Sequence, residues 1–304
     1  MPFFRHLNQA TRPSRIAASA IALAALASLT SCGLTQASSA EGDSDRTISL
    51  IVTESAPYQE PTEIAKELLA EEGWELQPTY VTDIVQPNQV VSQGEYDANF
   101  FQHFAYLRQF NEDNGTQVEP AFTVYDAPAG VFSLQYDSLD ELPDGATISL
   151  PVDRANNGRA IALLHQEGLI DIEDSASITE LSQESITDNP KNLQFVEIDQ
   201  QSAAQTLPDV DAGFSTVRFQ AEAGYDVEDT MLAFEDYDDN FDFAVVVGVA
   251  EGERESEKIQ ALQRALQSEE VQDWYDNYLD GALTFNDEYT SDNIGPRWEQ
   301  YLSE

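Results

Sequence analysis

The sequence is poor in the residues on which many enzymes and metal proteins depend. Its 304 residues include a single cysteine, Cys32, and only three histidines. One cysteine excludes an internal disulfide and a cysteine-rich metal site. The chain also lacks a G-x-S-x-G elbow, an H-E-x-x-H motif and a glycine-rich phosphate loop, the signatures of serine hydrolases, zinc proteases and nucleotide-binding proteins. We therefore predict a protein that is not an enzyme and binds no metal or cofactor.

Positive charge is scarce as well. The chain has 14 Lys and Arg against 56 Asp and Glu, a formal net charge of −42. A field of this sign repels phosphate backbones, which excludes nucleic acid as a partner. The acids are scattered along the chain, a pattern that favours a solvated acidic surface over an acidic binding tail.

The sequence has one long apolar run, and it lies near the amino end. Three arginines precede IAASAIALAALASL, residues 16–29, which is too short to span a bilayer and is typical of a signal peptide. The following LTSC, ending at Cys32, is similar to a bacterial lipobox, in which the cysteine is lipidated. We predict a lipoprotein signal peptide over residues 1–31 and a lipid-anchored flexible tether over residues 32–46, with the protein on the extracytoplasmic face of the cell membrane. A plain secretory signal cut near residue 40, or an inert cysteine, is the alternative.

The rest of the chain alternates strand-like and helix-like runs. TISLIVTE (47–54) and ELQPTYV (75–81) have strand character, and PTEIAKELLAEEG (61–73) between them has helical spacing. The same order recurs further along, for example ATISLPV before NNGRAIALLHQEGL. This alternation predicts an α/β protein with largely parallel pairing.

Aromatic residues crowd one stretch, YDANFFQHFAYLRQF at 96–110. Alternate positions up to Phe100 are apolar, as in a strand, whereas positions 104, 107 and 110 recur at helical spacing. Phe101 and His103 therefore fall where a strand ends and a helix begins, the edge at which open α/β sheets bind ligands. Either a core role or a ligand role fits Phe101, His103 and Tyr106 at this point.

A second junction of this kind is ISLPVDRANNGRAIALL, residues 148–164. After a strand, Asn156 or Asn157 is expected to cap a helix and Arg159 to fall in its first turn. A cation at that end is unfavourable unless an anion compensates it, and a ligand carboxylate suits the guanidinium fork. Pairing of Arg159 with one of the abundant acids is the alternative.

Four blocks in order and spacing carry a family resemblance: PNQVVSQGEYDANFFQH, SLDELPDGA, LPVDRANNGR and NPKNLQFVEID. Over about residues 50–279 the chain closely resembles the methionine-binding lipoproteins of ABC importers, the NlpA-type family. The resemblance implies a two-lobed periplasmic-binding-protein fold of type II-like form, each lobe a mostly parallel sheet flanked by helices, with the ligand in the interlobe cleft. It implies lobe 1 over residues 47–134 and 242–304, and lobe 2 over residues 135–241.

The resemblance also implies ligand-binding residues. Phe101, His103 and Tyr106 match the positions that line the side-chain pocket in the family. Asn156 and Arg159 match the N-x-G-R positions that clamp the ligand carboxylate and neighbouring groups.

Three positions depart from the family pattern. Ile84 and Ala127 stand where the family commonly has tyrosines, and Ser215 stands where an asparagine helps to hold the ligand, so we expect Ser215 to take that place. The implied function is to bind a small amino acid, with methionine as first choice, and to deliver it to an ABC permease and its ATPase. The alternatives are a receptor for another amino acid or a methionine-containing dipeptide, and an extracellular enzyme on the same fold.

Overall fold

The computed structural model describes residues 46–173, 177–235 and 241–303. The predicted signal peptide, Cys32 and the tether up to residue 45 lie outside the described residues. Within the described ranges, no helix combines the length and the apolar character needed to cross a membrane.

The described residues confirm the α/β alternation. The strands are β1 (Thr47–Thr53), β2 (Glu75–Val81), β3 (Ala98–His103), β4 (Glu119–Asp126), β5 (Ala129–Phe132), β6 (Thr147–Pro151), β7 (Asp171–Ile172), β8 (Ile186–Asp188), β9 (Gln194–Ile198), β10 (Ala212–Thr216), β11 (Met231–Phe234), β12 (Ala244–Val249) and β13 (Thr284–Phe285). The α-helices are α1 (Ala56–Glu71), α2 (Gln86–Ser92), α3 (Phe104–Asn114), α4 (Arg154–Gln166), α5 (Ala203–Thr206), α6 (Val217–Glu222), α7 (Val227–Thr230), α8 (Glu257–Leu266), α9 (Glu269–Asn277) and α10 (Ile294–Ser303).

The strands form two main sheets. One has six strands in the order β13-β4-β12-β3-β1-β2, and the other has five in the order β11-β5-β10-β6-β9. Strands β7 and β8 pair separately. We call the six-stranded sheet with its helices lobe 1, and the five-stranded sheet with its helices lobe 2.

Strand pairing is more mixed than the predicted, mostly parallel arrangement. In lobe 1, β1 is parallel to β2 and β3, but β12 is antiparallel to β3 and β4. In lobe 2, β6 is parallel to β9 and β10, but β5 is antiparallel to β10 and β11. The strands that carry the chain out of one lobe and into the other run against their neighbours, because these connections are not the helical crossovers that keep strands parallel.

The chain passes between the lobes at two points, and the first of them differs from the expected boundary. Strand β5 hydrogen-bonds to β10 and β11 of lobe 2, so the chain leaves lobe 1 at Ala127 and Pro128 rather than at residues 134–135. The boundary at residues 134–135 was implied by the family resemblance, and the four-residue strand AGVF is too short to give a periodic signal of its own. The chain returns to lobe 1 between β11 and β12, and the resemblance implied a boundary at residues 241–242.

Two helices in succession end the helical part of lobe 1 before β13. The first, α8, ends at Leu266, and α9 begins after Ser268, whose side chain accepts a hydrogen bond from the Val271 N–H. A serine with extended backbone satisfies the unpaired amides of a new helix, and this fixes the break.

The aromatic stretch divides its side chains among three clusters. Phe100 packs with Tyr58 and Tyr125 on one face of the lobe 1 sheet. Phe104 packs in the cluster on the opposite face. Phe101, Tyr106 and Phe110 belong to a third, smaller cluster that also contains Ala155 of lobe 2. The crowding of aromatics thus serves two core faces and one contact between lobes.

Candidate functional site

His103 lies at the junction of β3 and α3, as the sequence predicts. Its backbone is extended, and Nδ1 accepts a hydrogen bond from the Tyr106 N–H at 3.1 Å, so the imidazole is the N-cap of α3. With Nδ1 accepting, the neutral ring carries its proton on Nε2, which lies 3.1 Å from Asn156 Oδ1 in lobe 2. Burial, followed by the charge of Arg159, lowers the pKa of His103 to about 3. His103 is therefore a neutral donor that joins the lobes.

Asn156 is held by the start of α4. Asp153, not Asn156 or Asn157 as predicted, is the N-cap: its Oδ1 accepts from the Asn156 backbone N–H at 3.0 Å and from Asn156 Nδ2 at 2.9 Å. Fixing the Nδ2 group in this way turns Oδ1 of Asn156 towards His103. Asp153 was overlooked because two asparagines offered the same capping chemistry three and four residues further on.

The glycine of the N-x-G-R motif has a packing role. A side chain on Gly158 would collide with the backbone carbonyl of Ile178, in the segment that packs across α4. Only glycine lets the two backbones approach this closely. The motif therefore fixes the position of α4, and with it Asn156.

Arg159 has a different environment from the one predicted. Because α4 begins at Arg154, Arg159 lies in the second turn, where the helix dipole argument for a ligand anion no longer applies. Its Nε donates to Glu235 Oε1 at 2.7 Å, and Nη2 donates to Glu235 Oε2 at 2.6 Å and to the Ala127 carbonyl at 2.8 Å. The guanidinium carbon also lies 3.8 Å from the centre of the Phe243 ring. The alternative left open by the sequence, a pairing with an acid, is what the structure contains.

A cavity opens between the lobes at these junctions. Its lining includes four of the six predicted binding residues, Phe101, His103, Tyr106 and Asn156. Arg159 and Ser215 are not among the lining residues: Arg159 lies behind Ala127, and the Ser215 hydroxyl donates to the Thr216 carbonyl at 3.1 Å.

The remaining lining residues were not predicted as binding residues. They are Thr53, Tyr58, Ile84, Gln102, Tyr125, Ala127, Pro128, Asp199, Gln200, Gln201, Thr216, Arg218, Phe219, Val245 and Leu283. Ile84 and Ala127, noted above as departures, are both here, and the Ile84 carbonyl accepts from Tyr106 Oη at 2.9 Å. Thr216 and Arg218 stand one and three residues beyond Ser215, so the sequence pointed to the correct segment but not to the correct side chains.

The cavity is small and mixed in character. Its volume is about 70 Å³, and a single buried water needs roughly 10–15 Å³ on the same measure. Phe101 and Tyr106, whose ring centres are 5.7 Å apart, form an aromatic wall. Asn156, Thr216 and Arg218 supply polar groups. Such a space suits one small molecule with an apolar part and a charged part. Among the described residues, no group of His, Cys, Asp and Glu side chains could hold a metal ion.

Two mixed sheets with a small mixed-polarity cavity between them define the class as a ligand-binding α/β protein of the periplasmic-binding-protein kind. Residues 50–284 match the sequence model of the NlpA lipoprotein family. The chain therefore belongs to the NlpA lipoprotein family, which confirms the resemblance seen in its sequence.

Relatives cover most of the chain. The methionine-binding lipoprotein MetQ of Bacillus subtilis is 31% identical over 237 residues, which is 77% of this chain and 86% of that protein. The D-methionine-binding lipoprotein MetQ of Salmonella typhi is 30% identical over 227 residues, covering 74% of this chain and 83% of the relative. A nutrient-binding protein from Burkholderia cenocepacia, whose structure is bound to methionine, superposes with a TM-score of 0.74 at 27% identity, covering 79% of this chain and 99% of that one.

Proposed function

We propose that this protein is the lipid-anchored solute receptor of an ABC importer, and that it binds methionine in the cavity between its lobes. The observation that carries the proposal is the cavity itself, where an aromatic wall from lobe 1 faces Asn156 of lobe 2. Relatives that cover most of the chain are named for methionine, and one solved neighbour is bound to it. A receptor of this class would hand its ligand to a membrane permease driven by an ATPase.

Four predicted residues take direct roles in this proposal. Phe101 and Tyr106 contact the ligand's thioether, since sulfur packs favourably against aromatic rings. The paired His103 and Asn156 form the polar floor and tie the ligand site to lobe closure. Arg159 and Ser215 act from behind the wall, Arg159 by holding the Ala127 carbonyl in position.

The size of the cavity favours a single amino acid over a methionine-containing dipeptide. Calorimetry of the full lipoprotein in detergent, after removal of any copurified small molecule, tests this. We expect D- or L-methionine to bind most tightly. Norleucine, which replaces the sulfur by a methylene, should bind up to about tenfold more weakly. Glycyl-methionine should bind more weakly than methionine. Tighter binding of the dipeptide or of another amino acid would reject methionine as the ligand.

Membrane attachment is proposed through Cys32, which lies outside the described residues. Metabolic labelling with a radioactive fatty acid tests it. Label should enter the wild-type protein and be absent from Cys32→Ala, while both proteins accumulate. Equal label in the two proteins would exclude lipidation at Cys32.

A further inference from the structure

Arg218 presents a guanidinium to the cavity from lobe 2. It is the second residue of α6, is half-buried, and lines the cavity beside Thr216. Its guanidinium carbon lies 4.0 Å from the centre of the Phe219 ring and 5.3 Å from that of Tyr58. Cation–π contact with these two rings holds the guanidinium but occupies no carboxylate or carbonyl acceptor, so its N–H groups stay available.

Among the described residues, few of those N–H groups are used. Nη1 donates to Ser55 Oγ at 2.6 Å, one of the five N–H donors of an arginine side chain. In the described part of the chain no carboxylate oxygen lies within 4.0 Å of the Arg218 guanidinium. Glu222 is reached only through Ser55, whose hydroxyl donates to Glu222 Oε1 at 2.5 Å. Arg159 differs sharply, since Glu235 engages two of its nitrogens.

Thr216 gives an independent indication at the same place. Thr216 is 95% buried, and its Oγ1 has no hydrogen-bond partner among the described residues. Leaving a buried hydroxyl without a partner costs about 1–3 kcal/mol, so such a group indicates that something else is bound there. A carboxylate would accept from the Thr216 hydroxyl and from Arg218 together.

We infer that Arg218 and Thr216 form the subsite that receives the ligand's carboxylate, in place of Arg159. This inference rests on the proposed function, because it names the residues that recognise the charged end of the same amino acid. The apolar end of the ligand then meets Phe101 and Tyr106. Because Ser55 of lobe 1 bonds to Arg218, the residue that binds the carboxylate also joins the two lobes.

A cycle that changes the ligand and the protein together tests the inference. The ligands are methionine and methioninamide, which differ at the carboxylate but share the ammonium and the thioether. The proteins are wild type, Arg218→Gln and, as a matched control for the loss of one positive charge, Arg264→Gln, whose guanidinium lies at the surface on α8 and pairs with Glu72. Replacing one member of a buried charge pair typically costs 30-fold or more in affinity, taken as about 2 kcal/mol.

For wild type and Arg264→Gln we expect methionine to bind at least about 30-fold more tightly than methioninamide. For Arg218→Gln that ratio should fall to within about threefold, and Arg218→Lys should recover part of it. Thr216→Val, which keeps the shape and removes the hydroxyl, should reduce the ratio in the same direction.

The outcomes separate the inference from the proposed function. If wild type binds methionine but Arg218→Gln keeps the full preference for the acid over the amide, the inference is wrong and the carboxylate lies elsewhere. If the preference is lost instead in Arg159→Lys, Arg159 is the carboxylate receptor. If no free amino acid binds the wild-type protein, the proposed function is wrong and the inference falls with it.

Discussion

Arg159 and Glu235 form a buried two-point ion pair, with Nε–Oε1 and Nη2–Oε2 distances of 2.7 and 2.6 Å. Arg159 exposes none of its side chain and Glu235 only 9% of its own. The pair joins α4 to the end of β11 behind the cavity wall. It neutralises the guanidinium within the protein, so the charge of Arg159 does not depend on a ligand for compensation.

Substituting either member of this pair should affect the stability of the protein more directly than it affects ligand binding. Arg159→Met or Glu235→Gln each leaves one group without its partner, and each should lower the free energy of unfolding by about 3–5 kcal/mol. The double variant should cost less than the sum of the two by about 1–3 kcal/mol, since the second change removes the group that the first left unpaired. Urea unfolding of the four proteins measures this. Additive losses would show that the two side chains do not depend on each other.

The neutral His103 predicts a particular acid sensitivity. The pKa of His103 is about 3 in the folded chain, against 6.5 for the free side chain. Below pH 6.5 the unfolded chain therefore binds a proton that the folded chain does not, so the contribution of His103 to stability is complete above pH 6.5 and is lost as the pH falls.

His103→Asn keeps an N-cap acceptor but cannot titrate, so it isolates this effect. Between pH 6 and pH 4, the stability advantage of wild type over His103→Asn should shrink by up to about 1.4 kcal/mol per pH unit. Denaturant unfolding at several pH values gives the slope. Parallel curves for the two proteins would mean that the pKa of His103 is the same in the folded and the unfolded chain.

The aromatic wall should control selectivity. Phe101→Ala removes apolar contact with the ligand side chain and should cost methionine about 1–3 kcal/mol in binding free energy while affecting alanine much less. Tyr106→Phe is the matched control, since it keeps the ring and loses only the hydrogen bond to the Ile84 carbonyl. Its ratio of methionine to alanine affinity should stay close to that of wild type. An equal loss of affinity for methionine and alanine in Phe101→Ala would mean that the methionine side chain lies elsewhere in the cavity.

The sequence predicted the β3–α3 junction well because its apolar period changes there from two to about 3.6 residues, with His103 at the change. It could not identify Glu235 as the partner of Arg159, because 56 acids made every one of them an equal candidate. Arg218 was missed for a related reason: a cation in the first turn of a short helix has no local pattern that distinguishes a surface arginine from one turned into a cavity. Both facts depend on contacts between segments distant in the chain.

The acidic surface predicts a response to salt. The formal net charge is −42, so the acidic groups of the folded chain repel one another, and added salt screens this repulsion. Raising KCl from about 0.01 M to about 1 M shortens the Debye length from about 30 Å to about 3 Å, so the melting temperature should rise throughout this range. Sucrose at matched osmolality controls for excluded-solute effects. A melting temperature that falls with KCl would mean that attractive ion pairs outweigh the repulsion.

Methionine held between the lobes should stabilise their closed arrangement. Spin labels at Glu67→Cys on α1 and Gln194→Cys on β9, one exposed position on each lobe, report the separation of the lobes by pulsed electron resonance. With the ligand removed we expect a broad distribution of distances, and with saturating methionine a single, shorter one, because closure buries the ligand against contacts from both lobes. Alanine at the same concentration should shift the distribution less. An unchanged distribution with methionine bound at one equivalent would contradict the account.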